Sequence, residues 1–461
     1  GPSSDSEEVL ERLFEAGMNV ARLNFSHGTA KEHGERITKL RSLSEKRGVP
    51  VAVLQDLAGP KIRVGRIEKG PLHLQSGEDF VLTCEDVPGD EKRVSITYSR
   101  LPKEVKADDR ILLADGSIEL RVLKTDANNI TCKVLVGGEL SSHKGINVPG
   151  GTLSVEAFTE KDRVDLEFGL DRGVDYVAMS FVRRREDILQ LKKVMEEKKR
   201  FAPIIAKIEK HEALENLEEI LQTVDGVMVA RGDLAVETAL ERVPLVQKML
   251  IQKCNQIGKP VITATQMLKS MVDNPRPTRA EANDVANAVL DGTDAVMLSE
   301  ETTVGKYPVE SVRTMAKIIE ATESNQVANR PLSNTETEEP TSIAKAVSHA
   351  SFEMARDLKA AAIFTPTQTG STARSVASFR PAQPIIALSP NPNVVRCLNL
   401  VWGLHPILVG QYSNSDEMIE QAKTAALNTG LVKKGDMVVI TAGIPVGKAG
   451  TTNLIKAEVL E

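Results

Sequence analysis

Residues 203–232 read PIIAKIEKHEALENLEEILQTVDGVMVARG. Two short apolar runs, PIIAKIE and GVMVARG, bracket an amphipathic stretch, ENLEEILQTV. The runs are apolar throughout rather than alternating, as expected of strands buried on both faces of a parallel sheet. The same unit recurs along the chain. MNVARLNF (18–25), VAVLQDL (51–57), VDYVAMSF (174–181), PVITATQ (260–266) and DAVMLS (294–299) are further apolar runs, separated by helical patterns such as EDILQLKKVMEEKK and ALERVPLVQKMLIQKCNQIG. Seven strands of this kind, with an eighth expected before Gly1, predict an α/β fold built on a (β/α)8 barrel. A doubly wound open sheet gives the same local signals and remains the alternative.

The order breaks once. Between Val64 and Gly151 helical periodicity disappears, and short strands with Gly, Asp and Asn turns take its place. An inserted β domain over 64–151 is therefore expected inside a barrel formed by 1–63 and 152–328. The polar run NQVANRPLSNTETEEPTS (325–342) reads as a linker or exposed loop. Beyond it, helices alternate with AAAIFTP, PIIALS, LHPILVG and DMVVITA, which predicts a separate α/β domain over 329–461.

Bulk composition narrows the function classes. The net charge is −6 with both signs mixed, and aromatics make up only 3%, so neither a nucleic-acid surface nor a base-stacking platform is expected. No run of about 18 apolar residues predicts a membrane span. Cys84, Cys132, Cys254 and Cys397 form no metal or redox motif and read as scattered thiols of a reducing cytoplasm. The chain opens almost directly on a helix, with Ser4 and Glu7 spaced as a capping box. That start suggests residues upstream and leaves open an organelle-targeted form whose targeting segment has been removed.

In a barrel, chemistry gathers at the carboxyl ends of the strands. The polar residues expected there are Arg22, Asn24, Ser26, Asp56, Ser180, Lys207, Glu209, Arg231, Asp233, Thr265, Gln266, Ser299 and Glu301. Glu209 and Asp233, with no His or Cys partner, suit a hard cation such as Mg²⁺ that keeps waters and takes substrate oxygens. Lys207 alternates with Glu209, so both face one side of their strand. A lysine buried there needs carboxylates, a metal site or an anionic ligand. Arg22 and Arg63 add cationic capacity, and the start of RGDLAVE reads as a helix whose free N–H groups face an anion. The set suits a small, multiply negative substrate and phosphoryl transfer. No Walker motif is present; GIPVGKAG (443–450) has the wrong glycine spacing. His27 reads equally as a structural hydrogen-bonder or a nucleotide contact, and RRRE (183–186) as a solvated helix start.

The motifs RLNFSHG (22–28), GPKIR (59–63), KGIN (144–147), AKIE (206–209), MVARGDL (228–234), ATQML (264–268), the run 274–302 and GKYP (305–308) together resemble the pyruvate kinase family nearly end to end. The resemblance implies a barrel with the β insertion as a lid and a carboxyl-terminal regulatory domain. It implies Mg²⁺ (or Mn²⁺) on Glu209 and Asp233, and Lys207 stabilising the transferring phosphoryl group and the enolate. Arg22, with Arg63 near, would bind phosphate, and Thr265 would lie on the proton path. Ser180 would be a substrate contact, and Arg231, Gly232 and Asp233 would hold the substrate carboxylate. Asn24, His27, Asp115 and Lys144 would serve the nucleotide and the lid. The implied reaction moves phosphate from phosphoenolpyruvate to ADP, giving pyruvate and ATP, in a homotetramer.

Family members that use a potassium ion have Glu after Gly-Pro and Thr after the Asp; here Lys61 and Leu57 stand there, which resembles the potassium-independent branch. An ammonium near Asn24, Ser26 and Asp56 can replace the ion's charge, since opposite charges about 4 Å apart are worth roughly 4 kcal/mol at an effective dielectric of 20, before desolvation. Two further departures are Ala235 and Glu300, where the family carries Gly. The loop Thr367, Gln368, Thr369, Gly370, Ser371 and Thr372 resembles the site of a sugar-phosphate or nucleotide effector, with 442–453 as its other wall. Two rival readings are a Mg²⁺-dependent aldolase or mutase and a non-catalytic effector-binding subunit. The lid lysine and third domain speak against the first, and retention of Lys207, Glu209, Asp233 and Thr265 speaks against the second.

Overall fold

A computed structural model describes residues 1–151, 153–324, 342–446, 448 and 450–461. Most of the expected linker, 325–341, lies outside the described residues. The large sheet has seven parallel strands in chain order: Val20–Asn24, Ala52–Asp56, Tyr176–Met179, Ile204–Ile208, Gly226–Ala230, Val261–Ala264 and Ala295–Met297. Each is joined to the next by helix or by the insertion, so all seven carboxyl ends reach one rim. The register pairs Asn24 with Asp56, Lys207 with Met228 and Ala230 with Ala264, setting the site-bearing ends level with one another.

Alternation along a strand decides what faces inward. In Ile204–Ile208, Ile204, Ala206 and Ile208 pack toward the surrounding helices, while Ile205 joins Leu54, Ala178, Met228 and Ile262 in the interior. Lys207 follows Ile205 by two and so shares its inward face. The outer helices begin with capping boxes at Thr29 with Glu32, Thr159 with Asp162 and Thr278 with Glu281. The first helix, Glu7–Glu15, is capped by Ser6 and not by the expected Ser4, because Ser4 is taken up in a turn of 3₁₀ helix over Pro2–Ser4. The sheet curls without closing: its outer strands, Val20–Asn24 and Ala295–Met297, do not pair with each other. A cavity of about 430 Å³ lies on that side, lined by Val20, Leu54, Ile262, Met297 and Trp402 among others.

The insertion is a β structure with its own core around Phe80, Ile111, Leu120 and Ile130. Its main sheet has six strands in the order Ile146–Asn147, Arg110–Leu113, Ile118–Thr125, Asn129–Val136, Asp79–Thr83 and Arg93–Ser95. The third region is a five-stranded sheet in the order Leu404–Leu408, Ile385–Ser389, Ala362–Pro366, Met437–Gly443 and Thr452–Val459. Its last strand is antiparallel and the others parallel. It docks on the amino-terminal end of the large sheet, where the Tyr176 hydroxyl donates to the Cys397 carbonyl at 2.8 Å and Arg396 Nε meets Asp175 at 2.7 Å. No helix among the described residues is long and apolar enough to cross a membrane.

Candidate active site

At the carboxyl rim, Lys207 is the centre of a closed charge network. Its Nζ lies 2.8 Å from Glu209 and 3.4 Å from Asp56, and donates to Ser180 Oγ at 2.7 Å. The Ser180 hydroxyl in turn donates to the Leu57 carbonyl at 2.8 Å. Arg22 donates to Asp56 from Nε at 2.7 Å, and its Nη2 lies 2.6 Å from the same carboxylate. Glu209 also accepts the Phe181 amide at 2.8 Å, an amide turned inward because Phe181 sits at φ +56°. Asp56, Glu209 and Ser180 are all buried.

The two kinds of carboxylate behave oppositely. Burial disfavours ionised Asp56, yet Lys207 and Arg22 outweigh it and hold the carboxyl below its usual range. Burial likewise works against charged Lys207, but Asp56 and Glu209 raise its ammonium above the ordinary value. Glu209 is pushed up by burial and by the charge of Asp233, with Lys207 opposing. Asp233, in the first turn of the helix Arg231–Glu237, is pushed up by burial and by Asp115, again against Lys207. Glu209 and Asp233 thus carry negative charge that the protein leaves undercompensated. Among the described residues no group of three or more His, Cys, Asp or Glu side chains is placed to hold a metal ion. A pair of carboxylates suits a hard cation completed by water and substrate oxygens.

Gly232 and Thr265 meet across neighbouring strand ends. A Cβ on Gly232 would lie 2.7 Å from Thr265 Cγ2, so only glycine allows this approach. Thr265 and Gln266 follow one another at φ +78° and +55°, a left-handed pair that turns the chain at the rim. The Arg231 guanidinium does not enter this space. It donates to both Asp284 oxygens at 2.7 and 2.8 Å and to the Ala264 and Thr265 carbonyls at 3.1 and 2.9 Å. Here its side chain braces the rim from behind, bound to Asp284 and to main-chain carbonyls. Asn24 is occupied in a turn, accepting the Ser26 amide at 3.0 Å.

A cleft of about 490 Å³ opens between this rim and the insertion, lined by His27, Lys61, Arg63, Asp115, Lys144 and Asp233 among others. Lys61 reaches solvent at its mouth, and among the described residues no hydrogen bond or ion pair fixes it. Enclosure between rim and lid depresses its ammonium, and the like charges of Arg63 and Lys207 add to this, while Asp56 and Asp233 pull the other way. His27 is lowered by partial burial and by Lys61, Arg63 and Arg22. Ser299 and Glu301 do not join the cleft: Glu301 accepts the Leu268 and Ser299 amides at 3.1 and 2.8 Å. Arg183 departs from the expected solvated helix start, because it is half-buried and donates to the Leu153 and Val155 carbonyls at 2.6 and 2.7 Å. Inward Phe181 and the anchoring Asp284 were not read from sequence. The first depends on one dihedral angle and the second on a contact 53 residues away.

In the third region, Thr367 accepts the Gly370 amide at 2.9 Å, and Thr372 and Thr452 hydroxyls meet at 2.7 Å. Thr367, Gln368, Thr369, Ser371 and Thr372 line a small cavity of about 30 Å³ with Lys448, Thr451 and Thr452 opposite. Gly447 and Ala449 of that second wall lie outside the described residues.

The chain matches two family models: the pyruvate kinase barrel domain over residues 1–312 and the pyruvate kinase alpha/beta domain over 345–457. It is 50% identical over its full length to a pyruvate kinase of Geobacillus stearothermophilus, covering 79% of that protein. It is 46% identical to one of Clostridium acetobutylicum, covering 98% of it, and 49% identical to pyruvate kinase 2 of a Synechocystis strain, covering 78%. On both family models and on these full-length relatives, the chain belongs to the pyruvate kinase family and is a phosphotransferase enzyme.

Proposed function

We propose that this enzyme transfers the phosphoryl group of phosphoenolpyruvate to ADP, giving pyruvate and ATP, in a Mg²⁺-dependent reaction. The observation that carries the proposal is Lys207: a desolvated ammonium held by Glu209, Asp56 and Ser180 at the carboxyl rim, beside a cleft lined by Arg63, Lys144, Lys61 and Asp233. The terminal β-phosphate oxygen of ADP attacks phosphorus, and the bond to the enol oxygen breaks. Lys207 and Arg22 offset the negative charge on the phosphoryl oxygens and on the enolate. The enolate then takes a proton at its methylene carbon, on the side of Thr265. Glu209 and Asp233 would hold the cation, which when bound neutralises phosphoryl and carboxylate oxygens. Their undercompensated charge supports that assignment. Gly232 and the main chain around it, rather than the Arg231 guanidinium, are suited to the substrate carboxylate. Asp115 and Lys144 act from the lid, and His27 and Asn24 from the nucleotide side of the cleft.

Lys61 is the proposed substitute for a monovalent cation, so K⁺ is not required. The position of Lys61 in the cleft beside Asp233 supports this reading. The loop 367–372 is proposed to take a phosphorylated effector, sugar phosphate or nucleotide, on its hydroxyls and on Lys448. A homotetramer and a cytoplasmic location belong to the same reading; the four cysteines, all free, fit a reducing compartment. The test is pyruvate formation from phosphoenolpyruvate and ADP with Mg²⁺ in buffer free of Na⁺ and K⁺, followed by addition of K⁺. Full activity before K⁺ is the expected result. Activity only after K⁺ would sink the Lys61 assignment and keep the kinase. No activity in either buffer would count against the kinase reading itself.

A further inference from the structure

One buried carboxylate, bonded to two residues that line the cleft, is used by none of the steps above. Glu237 ends the helix Arg231–Glu237, whose first turn carries Asp233. Its side chain is 1% exposed. Its Oε1 accepts from Lys210 Nζ at 2.5 Å and from Asn147 Nδ2 at 3.1 Å. Lys210 directly follows Glu209 and faces the Phe181 ring at 6.0 Å. Asn147 belongs to the lid strand Ile146–Asn147, which begins just after Lys144. One oxygen thus joins the catalytic strand end, the Asp233 helix and the lid. Among the described residues, the other side-chain hydrogen bonds leaving 64–151 go only to the lid's own connecting segments, at Arg63 and Ser154. The same helix meets the lid a second time, where Gly116 approaches Val236 closely enough that an added Cβ would lie 3.8 Å from its Cγ2.

The segment around Asn147 is well placed to transmit such a tie. The Val64 amide donates to the Lys144 carbonyl at 2.9 Å, the Ile146 amide to Ile62 at 2.9 Å, and the Ala114 amide to Gly145 at 3.2 Å. Residues 144–147 therefore carry Lys144 and lie against the Asp115 turn, the two lid residues assigned to the cleft. A hydrogen bond to an ionised, desolvated acceptor is stronger than a neutral one. Lys210 supplies the counter-charge at the same oxygen.

We propose that Glu237 is a positioning residue of the phosphoryl-transfer site: through Asn147 it latches the lid to the Asp233 helix and so sets Lys144 and Asp115 over the nucleotide cleft. The proposal rests on the kinase reading for its consequence but not for the latch itself. Because the tie is made whether or not substrate has reacted, its loss removes uniform binding, which raises KM and leaves kcat.

The test compares the full-length enzyme with Asn147→Ala, reading ADP kinetics and amide hydrogen exchange over 144–148. Exchange should quicken, KM for ADP should rise about three- to tenfold, and kcat should stay within about twofold. Asn147→Asp should be worse, since it sets two carboxylates together. Adding Glu237→Gln to it exchanges donor and acceptor, leaves Lys210 a carboxylate to pair with, and should restore both readouts. Should Asn147→Ala not fold, Asn147→Ser shortens the reach and gives the same comparison. Exchange at the parent rate in the variant overturns the latch, as does a fall in kcat at unchanged KM. A parent enzyme that transfers no phosphate would sink the kinase reading, and exchange alone would then decide the latch.

Discussion

Lys207 is the residue on which the site turns, and its removal has two separable effects. Lys207→Met removes the ammonium proposed to face the transferring phosphoryl group, where loss of one preorganised donor costs about 10²–10³-fold in kcat. It also leaves Glu209 buried without its counter-charge and Asp56 with Arg22 alone, which costs about 3–5 kcal/mol when one partner of a buried pair is removed. Rate measurement together with urea unfolding checks both; a variant as stable as the parent would show that the carboxylates are relieved by water or protonation. The pair Lys207 and Glu209 was legible in AKIE because a strand period of two puts them on one inward face. The direction of the Arg231 guanidinium was not, since a long side chain beside the same rim reaches either the cleft or Asp284. Lys61 gives a prediction in pH. Its ammonium is depressed below the ordinary 10.5, so its charge is lost at a lower pH than that of a free lysine. Activity in K⁺-free buffer should therefore fall as pH rises toward that range, and added K⁺ should restore it there while doing little at neutral pH. Lys61→Gln should show K⁺ activation already at neutral pH.

Gly232 shows how an element is positioned by what it lacks. The helix Arg231–Glu237 lies against Thr265 only because no Cβ intervenes at 2.7 Å from Thr265 Cγ2. Gly232→Ala should push the helix outward or force Thr265 from its φ of +78°, at about 1–3 kcal/mol for overpacking of a well-packed contact. Asp233 and Glu237 move with the helix, so kcat should fall about 10²-fold, the scale of a misplacement of about 1 Å. Steady-state kinetics and thermal unfolding check this. A variant with normal kcat would mean that the helix yields without carrying Asp233. The recurring strand–helix units were legible because continuous apolar runs and amphipathic stretches differ in period. The amino-terminal cap lies at Ser6 rather than at the expected Ser4, because two serines there present the same chemistry and only the turn over Pro2–Ser4 decides between them.

Over the whole molecule, the break in periodicity at 64–151 and the return of alternating strands after the polar run made three regions readable. How the third meets the first was not readable, because it depends on single side chains far apart in sequence. Asp175 is the clearest case. It precedes the strand Tyr176–Met179, is buried, and accepts from Arg41 at 2.7 Å, from Arg396 at 2.7 Å and from the Val53 amide at 2.7 Å. Arg41 belongs to the helix Ala30–Arg47 and Arg396 to the third region, so one carboxylate binds a barrel helix, a barrel strand and the neighbouring domain. Asp175→Ala leaves two guanidinium groups and an amide facing a cavity and should cost about 3–5 kcal/mol. Arg396→Ala removes a partner that is one-fifth exposed, and solvent screens what is lost, so its cost should be smaller. The two variants then separate the roles of the residue. If Asp175 mainly stabilises the barrel, Asp175→Ala lowers the unfolding temperature while Arg396→Ala leaves it near the parent value. If it mainly ties the domains, both variants split a single calorimetric transition into two, one for the barrel and one for the third region. The distances favour the second outcome with a barrel contribution added. Two of the three donors are barrel groups, yet the Arg396 bond is reinforced by the Tyr176 hydroxyl on the Cys397 carbonyl and by Asn399 Nδ2 on the Pro50 carbonyl at 2.7 Å. Asp175→Ala should therefore both lower and split the transition, and Arg396→Ala should broaden it with a smaller shift.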